Sequence, residues 1–410
     1  MGGHTATRAP VSFRPAWPAF DPLGSAFAAL LGLSLLALPL VTARPNRIAL
    51  GTPLMAWSAL PLGQALALGA VLGCAAPLLA LRIAPGLRLA AGSAVLVLLC
   101  LAAGWAADHL TPSGDRYGRI SLDAGWWLAF AAAGLAAGDG LARLRPSPAL
   151  RIGALALVAA LAGLILRSGL WDNLSVLREY VSRSDTFGRE VRTHAGLALS
   201  SVAAAALVGI PAAILARPVP VLRAALLSVL NVVQTIPSMA LFGMLIAPLA
   251  WIGRTVPGAA DLGIAGIGAA PAFVALFAYA LLPVTAATVA GLDAVPGPVR
   301  NAARGVGMTA RQRLAQVELP LALPAILTGI RIVSVQNIGL AVIAGLVGGG
   351  GLGVYVFQGI SQNAGDLVLL GALPTVAMAS GAAVLLDAVI DLSRSPVSYT
   401  HLTLPTILRV

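Results

Sequence analysis

The sequence predicts an all-α fold, a polytopic transmembrane helical bundle of about ten helices. Hydrophobic residues make up 59% of its 410 residues and charged residues only 10%, whereas a soluble domain is typically about a quarter charged. Apolar runs of about 20 residues, the length that crosses a bilayer, recur along the chain. The charged residues fall mostly between these runs. A lipid bilayer is therefore the environment that suits this composition.

Ten apolar runs are predicted to cross the membrane. They lie near 24–43, 64–83, 88–107, 124–142, 150–168, 195–216, 223–250, 270–292, 323–346 and 367–391. The first run is alternatively a signal peptide, since Val41, Thr42 and Ala43 offer a cleavable end. Its length exceeds the apolar core of 7–15 residues found in ordinary signal peptides, which favours a membrane helix.

The arginines predict the orientation. Cytoplasmic loops of membrane proteins carry an excess of Lys and Arg. With ten crossings and an N-terminus in the cytoplasm, more arginines fall in cytoplasmic segments than in external ones. We therefore expect a multi-pass protein of the cell inner (plasma) membrane with a cytoplasmic N-terminus.

Several function classes are excluded. The net charge of +11 does not indicate nucleic-acid binding, because the arginines are scattered and form no single basic face. The sequence has no lysine and hence no ordinary phosphate-binding P-loop, so any ATP must be bound by another polypeptide. No catalytic cluster or metal-ligand spacing is present, and we expect no catalytic residue, no metal and no cofactor. Four histidines are interpreted as structural or solvated: His4, His109, His194 and His401.

One polar segment divides the chain. Residues 170–194 mix both charge signs with spaced apolar residues, which predicts an amphipathic extracytoplasmic linker helix. Residues 1–169 then form an N-terminal extension of five helices, and residues 195–393 form a second five-helix half. The tail 394–410 differs in composition from the rest and reads as foreign sequence, the alternative being a native cytoplasmic tail.

A polar loop in the second half, residues 293–322, carries the most specific pattern. Asn301-Ala302-Ala303 is followed by Gly307 and then by Val317, Leu319 and Pro320. This spacing resembles the cytoplasmic loop of ABC importer permeases, with Asn301 in place of a Glu and Val317 in place of an Ile. The resemblance implies a short helix that docks on a separate ATPase subunit. The implied coupling residues are Asn301, Ala302, Ala303, Arg304, Gly307, Arg311, Arg313, Val317, Leu319 and Pro320.

Three further segments narrow the resemblance to the osmoprotectant branch, which imports glycine betaine, choline, carnitine or proline-like solutes. They are 231–246, 277–292 and 341–360. The resemblance implies a five-helix permease core and an ATP-driven transport subunit that is not itself an enzyme. It also implies several partners: cytoplasmic ATPase subunits, an extracytoplasmic solute-binding protein, a second permease copy or paralogue, and membrane lipid. Alternatives are an ion-coupled secondary transporter, or an importer for amino acids or other small polar solutes.

Polar residues inside the apolar runs are candidates for the translocation pathway. Gln234, Thr235, Pro237 and Ser238 interrupt one run, and a proline there frees a carbonyl that must find a partner or line a cavity. Gln336 and Asn337 lie near mid-membrane on a later run, with Arg331 nearer the cytoplasmic end, where it is expected to snorkel. The glycine run 348–351 predicts an outer loop near the gate. No acid is predicted at the centre of a helix, which disfavours an ion-coupled carrier.

Overall fold

The computed structural model describes residues 20–47, 49–115 and 117–393. The tail 394–410, with its predicted foreign origin, lies outside the described residues. The described chain is mostly helical, with a single small sheet among the described residues, which confirms the predicted fold class. It separates into two compact units. The first comprises the described residues up to Pro146 together with Ile165–Ser175, and the second comprises Ser147–Leu164 and the described residues from Val176 onward.

The first unit contains four long helices and a small sheet. Its helices are α1 (Pro22–Leu36), the short α2 (Ala56–Ala59), α3 (Leu62–Ala80), α4 (Pro85–Leu110) and α5 (Ala124–Leu144). Its strands are β1 (Val41–Arg44), β2 (Thr52–Leu54) and β3 (Arg119–Leu122), antiparallel in the order β2-β1-β3. Because β1 follows α1 and β3 precedes α5, the pairing places both connections at one end of the unit. The long helices therefore alternate in direction, as crossing helices must.

The other end of this unit is held by buried charges. Arg88 is 2% exposed and lies between Asp21 and Asp139, and Arg143 also pairs with Asp139. The hydrogen bond from Arg88 lowers the pKa of the Asp21 carboxyl below its ordinary value. Buried charges persist only when they are paired and hydrogen-bonded, so this cluster fixes the ends of α1, α4 and α5 to one another.

The first apolar run differs from its prediction. The helix stops at Leu36 instead of extending to residue 43, and the chain continues into β1. Pro39 explains the stop, because the residue before a proline is disfavoured in helical geometry. Val41 and Thr42 are β-branched and suit a strand.

The second unit holds the remaining long helices. They are α6 (Pro148–Arg167, whose last three residues lie in the first unit), α8 (Ser184–Ala216), α9 (Pro220–Thr235), α12 (Ala269–Asp293), α15 (Leu319–Leu340) and α17 (Gly365–Ser393). The shorter elements are α7 (Ser175–Val181), α10 (Ser238–Met244), α11 (Ile246–Thr255), α13 (Gly297–Gly305), α14 (Ala310–Arg313) and α16 (Gly353–Ser361). A π-helical turn, Leu314–Glu318, precedes α15, and a 3-10 helix, Ala341–Val347, follows it.

Eight helical stretches among the described residues are long and apolar enough to cross a membrane. α1 and α9 are apolar but shorter, and α5 has 21 residues. In the second unit the core forms where α12 packs between α8 and α15. Small residues such as Ala272, Ala275 and Ala280 are completely buried there, which allows the close helix approach that membrane bundles use.

Two sequence-based boundaries are corrected. The segment 170–194 is not one separate amphipathic helix: it divides into α7 and the first turns of α8, which continues without interruption to Ala216. The run 223–250 is not one helix either, because it breaks between Thr235 and Ser238 and continues as α10 and α11. Pro237 lacks the backbone N–H that a continuous helix needs there.

Candidate functional site

The segment 293–322 is two short helices that run into a membrane helix. α13 ends in a Schellman motif: the N–H of Met308 donates to the carbonyl of Ala303 (3.1 Å), and the N–H of Gly307 donates to that of Arg304 (3.0 Å). Gly307 has a φ of +82°, a left-handed conformation that glycine adopts at little cost. The pattern of two alanines followed by this glycine is thus a helix with its C-terminal cap.

The next helix begins with a capping box. The side chain of Thr309 accepts from the N–H of Gln312, and the Gln312 side chain accepts from the N–H of Thr309. This Thr-x-x-Gln spacing is visible in the sequence and is a known helix start. From Ala310 the chain stays helical through α14 and the π-helical turn into α15. α14, the π-helical turn and α15 therefore form one continuous helical segment.

Ion pairs anchor this segment to the ends of α8 and α12. Glu318 is 5% exposed and accepts from Arg217 Nη1 at 2.5 Å and from Arg313 Nε at 2.9 Å. Arg217 also pairs with Asp293 at 3.0 Å, and Asp293 pairs with Arg223 at 2.7 Å. Three helix ends and the loop therefore meet at one network. The sequence prediction missed Glu318 and Arg217, although a lone acid after a run of arginines was a signal for them.

The predicted coupling residues divide into an exposed group and an anchoring group. Exposed residues are Asn301, Ala302, Arg304, Gly307, Arg311 and Pro320. Ala303 is only 7% exposed and packs inside the chain, and its place among the coupling residues stays a prediction. Arg313 is engaged by Glu318. Val317 and Leu319 are half-buried.

The predicted interruption near Pro237 is present, and α12 satisfies its polar groups. The hydroxyl of Tyr279 donates to the carbonyl of Ile236, and Gln234 Nε2 donates to the carbonyl of Tyr279 at 2.7 Å. Thr235 and Pro237 are exposed, and Ser238 is half-buried. The Ile236 carbonyl at the break therefore has a partner, Tyr279, which the sequence prediction did not identify.

The two amides on α15 have different surroundings. Asn337 is completely buried, and its Nδ2 donates to Ser201 Oγ at 2.9 Å and to the carbonyl of Leu276 at 3.1 Å. These bonds join α15 to α8 and α12. Gln336 is half-buried. Asn337 could contact a solute only after a rearrangement that exposes its side chain. Its predicted place on the translocation pathway stays a prediction.

Two further ion pairs join membrane helices to α17. Arg331 Nε lies 2.8 Å from Asp387 Oδ1, with both side chains about one-third exposed (35% and 37%). Arg331 therefore does not simply snorkel, as the sequence suggested, because a carboxylate on the neighbouring helix pairs with it. One turn further along α17, Asp391 pairs with Arg151 of α6. Acids four residues apart on one helix thus bind two different helices.

Comparisons with known proteins match both parts of the chain. The family described as "Binding-protein-dependent transport system inner membrane component" matches residues 205–397, and "ABC transporter permease YehY, N-terminal domain" matches residues 21–177. The osmoprotectant import permease protein OsmW of Salmonella typhimurium is 40% identical over 44% of this chain and 79% of its own length. The choline transport system permease protein OpuBB of Bacillus subtilis is 32% identical over 45% and 78%. The carnitine transport permease protein OpuCB of Listeria monocytogenes is 34% identical over the same shares.

Proposed function

The chain belongs to the family of osmoprotectant ABC importer permeases, and from this premise we propose that it carries a quaternary-amine solute such as glycine betaine, choline or carnitine. The three relatives differ in the solute that their names give, so this chain is assigned the shared chemistry: a small polar molecule with a fixed positive charge. ATP hydrolysis by separate subunits drives import through alternating access.

The observation that carries the proposal is the loop 293–322. Its outer surface is formed by small or basic exposed side chains on and after α13, such as Ala302, Arg304 and Arg311. Its inner side is fixed by Glu318 to helix ends of the core. The loop is therefore open to a partner on one side and joined to membrane helices on the other. This arrangement suits the transmission of ATPase movement to the membrane helices.

Four kinds of partner complete the proposed importer. Two ATPase subunits dock on the loops of two permease chains, either identical copies or this chain and a paralogue. A solute-binding protein delivers the solute on the outer side, and lipid covers the apolar helix faces. A fixed positive charge in a solute is often held by aromatic side chains, and only 5% of this chain is aromatic. We therefore assign most solute recognition to the binding protein.

The function is tested by reconstitution. The permease, its ATPase and its binding protein are placed in liposomes, and uptake of labelled glycine betaine and choline is measured. We expect uptake that requires ATP and the binding protein and that persists when the proton gradient is removed. Uptake that survives without ATP but collapses with the proton gradient would instead support an ion-coupled carrier.

The proposed pathway runs past the interruption of the 223–250 run. Thr235, Pro237 and Ser238 are at least partly exposed at the break, and Gln234 and Gln336 are half-buried. Neutral polar groups let a charged solute pass without holding it tightly. Asn337 joins this set only if α15 moves relative to α8.

We further propose that residues 1–146 are an accessory module and that α6 joins the permease core 195–393, which shortens the five-helix extension 1–169 expected from the sequence. Arg151 near the start of α6 pairs with Asp391 of α17, so α6 supports the core. A chain truncated to begin at Ser147 is expected to retain ATPase binding, measured by co-purification. A chain that begins at Leu170 loses this ion pair and should be less stable. Loss of ATPase binding in a well-inserted Ser147 truncation would contradict the accessory role.

The proposed topology places the N-terminus and the loop 293–322 in the cytoplasm. In a background without Cys74 and Cys100, Gln312→Cys should resist a membrane-impermeant thiol reagent in intact cells, and Ser184→Cys should react. Both positions are exposed, so the protein surface itself does not block labelling. The reverse pattern would put the loop on the side without ATP and would remove the ATPase from the proposal.

A further inference from the structure

A loop of four glycines lies at the far end of the core from the coupling loop. α8 connects the two ends. Arg217, just after its last residue, pairs with Glu318 of the loop 293–322, and Glu190 lies in its second turn. Arg217 is 27 positions after Glu190, a separation of about 40 Å along a helix. In the proposed topology this far end is the extracytoplasmic one.

The backbone of this loop requires glycine. Gly348, Gly350 and Gly351 have φ angles of +76°, +74° and +82°, which side chains rarely allow. Packing adds a second constraint. A Cβ on Gly350 would lie 3.1 Å from Glu190 Oε2, and one on Gly351 would lie 3.3 Å from the His194 side chain. Hence the bare loop backbone lies directly against α8.

A single carboxylate makes the polar contact between α8 and the loop. Glu190 Oε2 accepts from the N–H of Gly351 at 2.7 Å, a charge-assisted bond of the stronger kind. Its other oxygen lies 3.2 Å from Arg189 Nε. The Glu190 side chain is 12% exposed, whereas that of Arg189 is 66% exposed. The hydrogen bond between Glu190 and Gly351 is therefore shielded from solvent, but Arg189, the ion-pair partner of Glu190, reaches the surface.

Neighbouring turns of α8 contact the elements on both sides of the loop. Thr186 Oγ1 and the Tyr355 hydroxyl of α16 are 3.1 Å apart, and Phe187 stacks on the Tyr355 ring. One turn after Glu190, the completely buried His194 donates from Nε2 to the carbonyl of Ile338 in α15 (2.9 Å). These contacts hold α8 to α15 and α16 on both sides of the loop.

We propose that Glu190 is the positioning residue of the outer gate. It holds the Gly348–Gly351 loop in the closed arrangement, and contact of the solute-binding protein with the first turns of α8 releases it. A partner group that competes for Glu190 or Arg189 withdraws the carboxylate from Gly351, and the glycines then rearrange at little cost. This assignment rests on the proposed function, because it needs an importer whose outer end meets a binding protein.

The test measures ATP hydrolysis by the complete reconstituted importer with and without binding protein. In the wild type, hydrolysis should depend on the binding protein. Glu190→Ala should raise hydrolysis without binding protein about tenfold, the effect expected when one hydrogen bond to a charged group is lost from the closed state. Glu190→Gln should give a smaller rise, because its amide oxygen can accept from the same N–H. A purely structural role would instead lower hydrolysis and assembly.

The matched control is Asp261→Asn, which removes an exposed acid from the connection between α11 and α12, outside α8, and should leave the basal rate unchanged. A wild-type basal rate in an assembled Glu190→Ala complex overturns the gate assignment. If Glu190→Ala does not assemble, the assembled Glu190→Gln and Thr186→Val complexes are measured instead. A wild-type basal rate in both of them overturns the gate assignment. A wild-type complex without ATP-dependent uptake overturns the proposed function, and the gate assignment with it.

Discussion

Replacing Glu318 with alanine is expected to destabilise the permease by about 3 kcal/mol, the low end of the range for breaking a buried ion pair. Glu318 is 5% exposed and is shared by Arg217 and Arg313. Its removal leaves both guanidinium groups without their common counter-charge at the junction of loop and membrane helices. Thermal unfolding of the purified permease should show a Tm lower by several degrees.

Arg223→Gln is the matched control within the same network. Arg223 pairs with Asp293 at 2.7 Å, but the two side chains are 40% and 38% exposed. Exposed ion pairs contribute about 0–1 kcal/mol, so this variant should unfold close to the wild type. An equal fall in Tm in the two variants would contradict the anchoring role of Glu318. A wild-type Tm in both variants would contradict it too.

The elements that the sequence predicted well are those with a local physical cause. Long apolar runs predicted most membrane helices because only a bilayer-length helix can bury them. Pro237 predicted an interruption within the run 223–250, because proline removes a helical donor, although that run was expected to cross the membrane as one helix. The resemblance of the loop implied a short helix there, and the structure gives the cause of its end: the left-handed conformation of Gly307 closes α13.

The residues that the sequence did not reveal act through distant partners. Glu318 and Arg217 are 101 residues apart, Glu190 and Gly351 are 161 apart, and Gln234 and the Tyr279 carbonyl are 45 apart. Hydrophobic periodicity reports which face of a helix is buried, but it does not report which polar group on another helix that face meets. The small sheet was missed for a related reason: strands of three or four residues are too short to show a period.

The burial of His194 illustrates the same limit. From the sequence, a lone histidine between Arg192 and a long apolar run is interpreted as structural or solvated, without a choice between the two. In the structure it is completely buried within α8 and donates to the carbonyl of Ile338. Nothing local distinguishes the two environments, because α8 begins ten residues before His194 and its first turns are rich in charge.

Ala302→Trp is expected to abolish ATPase docking while leaving the permease folded. Ala302 is exposed in α13, so a large side chain there would hold a docking surface several ångströms away. Co-purified ATPase and ATP-driven uptake should each fall at least about tenfold, the equivalent of roughly 1.4 kcal/mol of binding. Position 302 is a cleaner test than Gly307, because a side chain at a φ of +82° would also strain the loop.

Two tryptophan controls separate docking from folding. Val219→Trp adds the same bulk at a 49% exposed position in the connection between α8 and α9, at the same end of the core but outside the loop, and should preserve ATPase binding. Ala303→Trp introduces the same bulk at the neighbouring buried position and should lower the Tm, because overpacking a filled site costs about 1–3 kcal/mol. Ala302→Trp should differ from both controls, because it should keep the wild-type Tm and lose ATPase binding. Normal ATPase binding in that variant would show that the partner docks elsewhere than on α13.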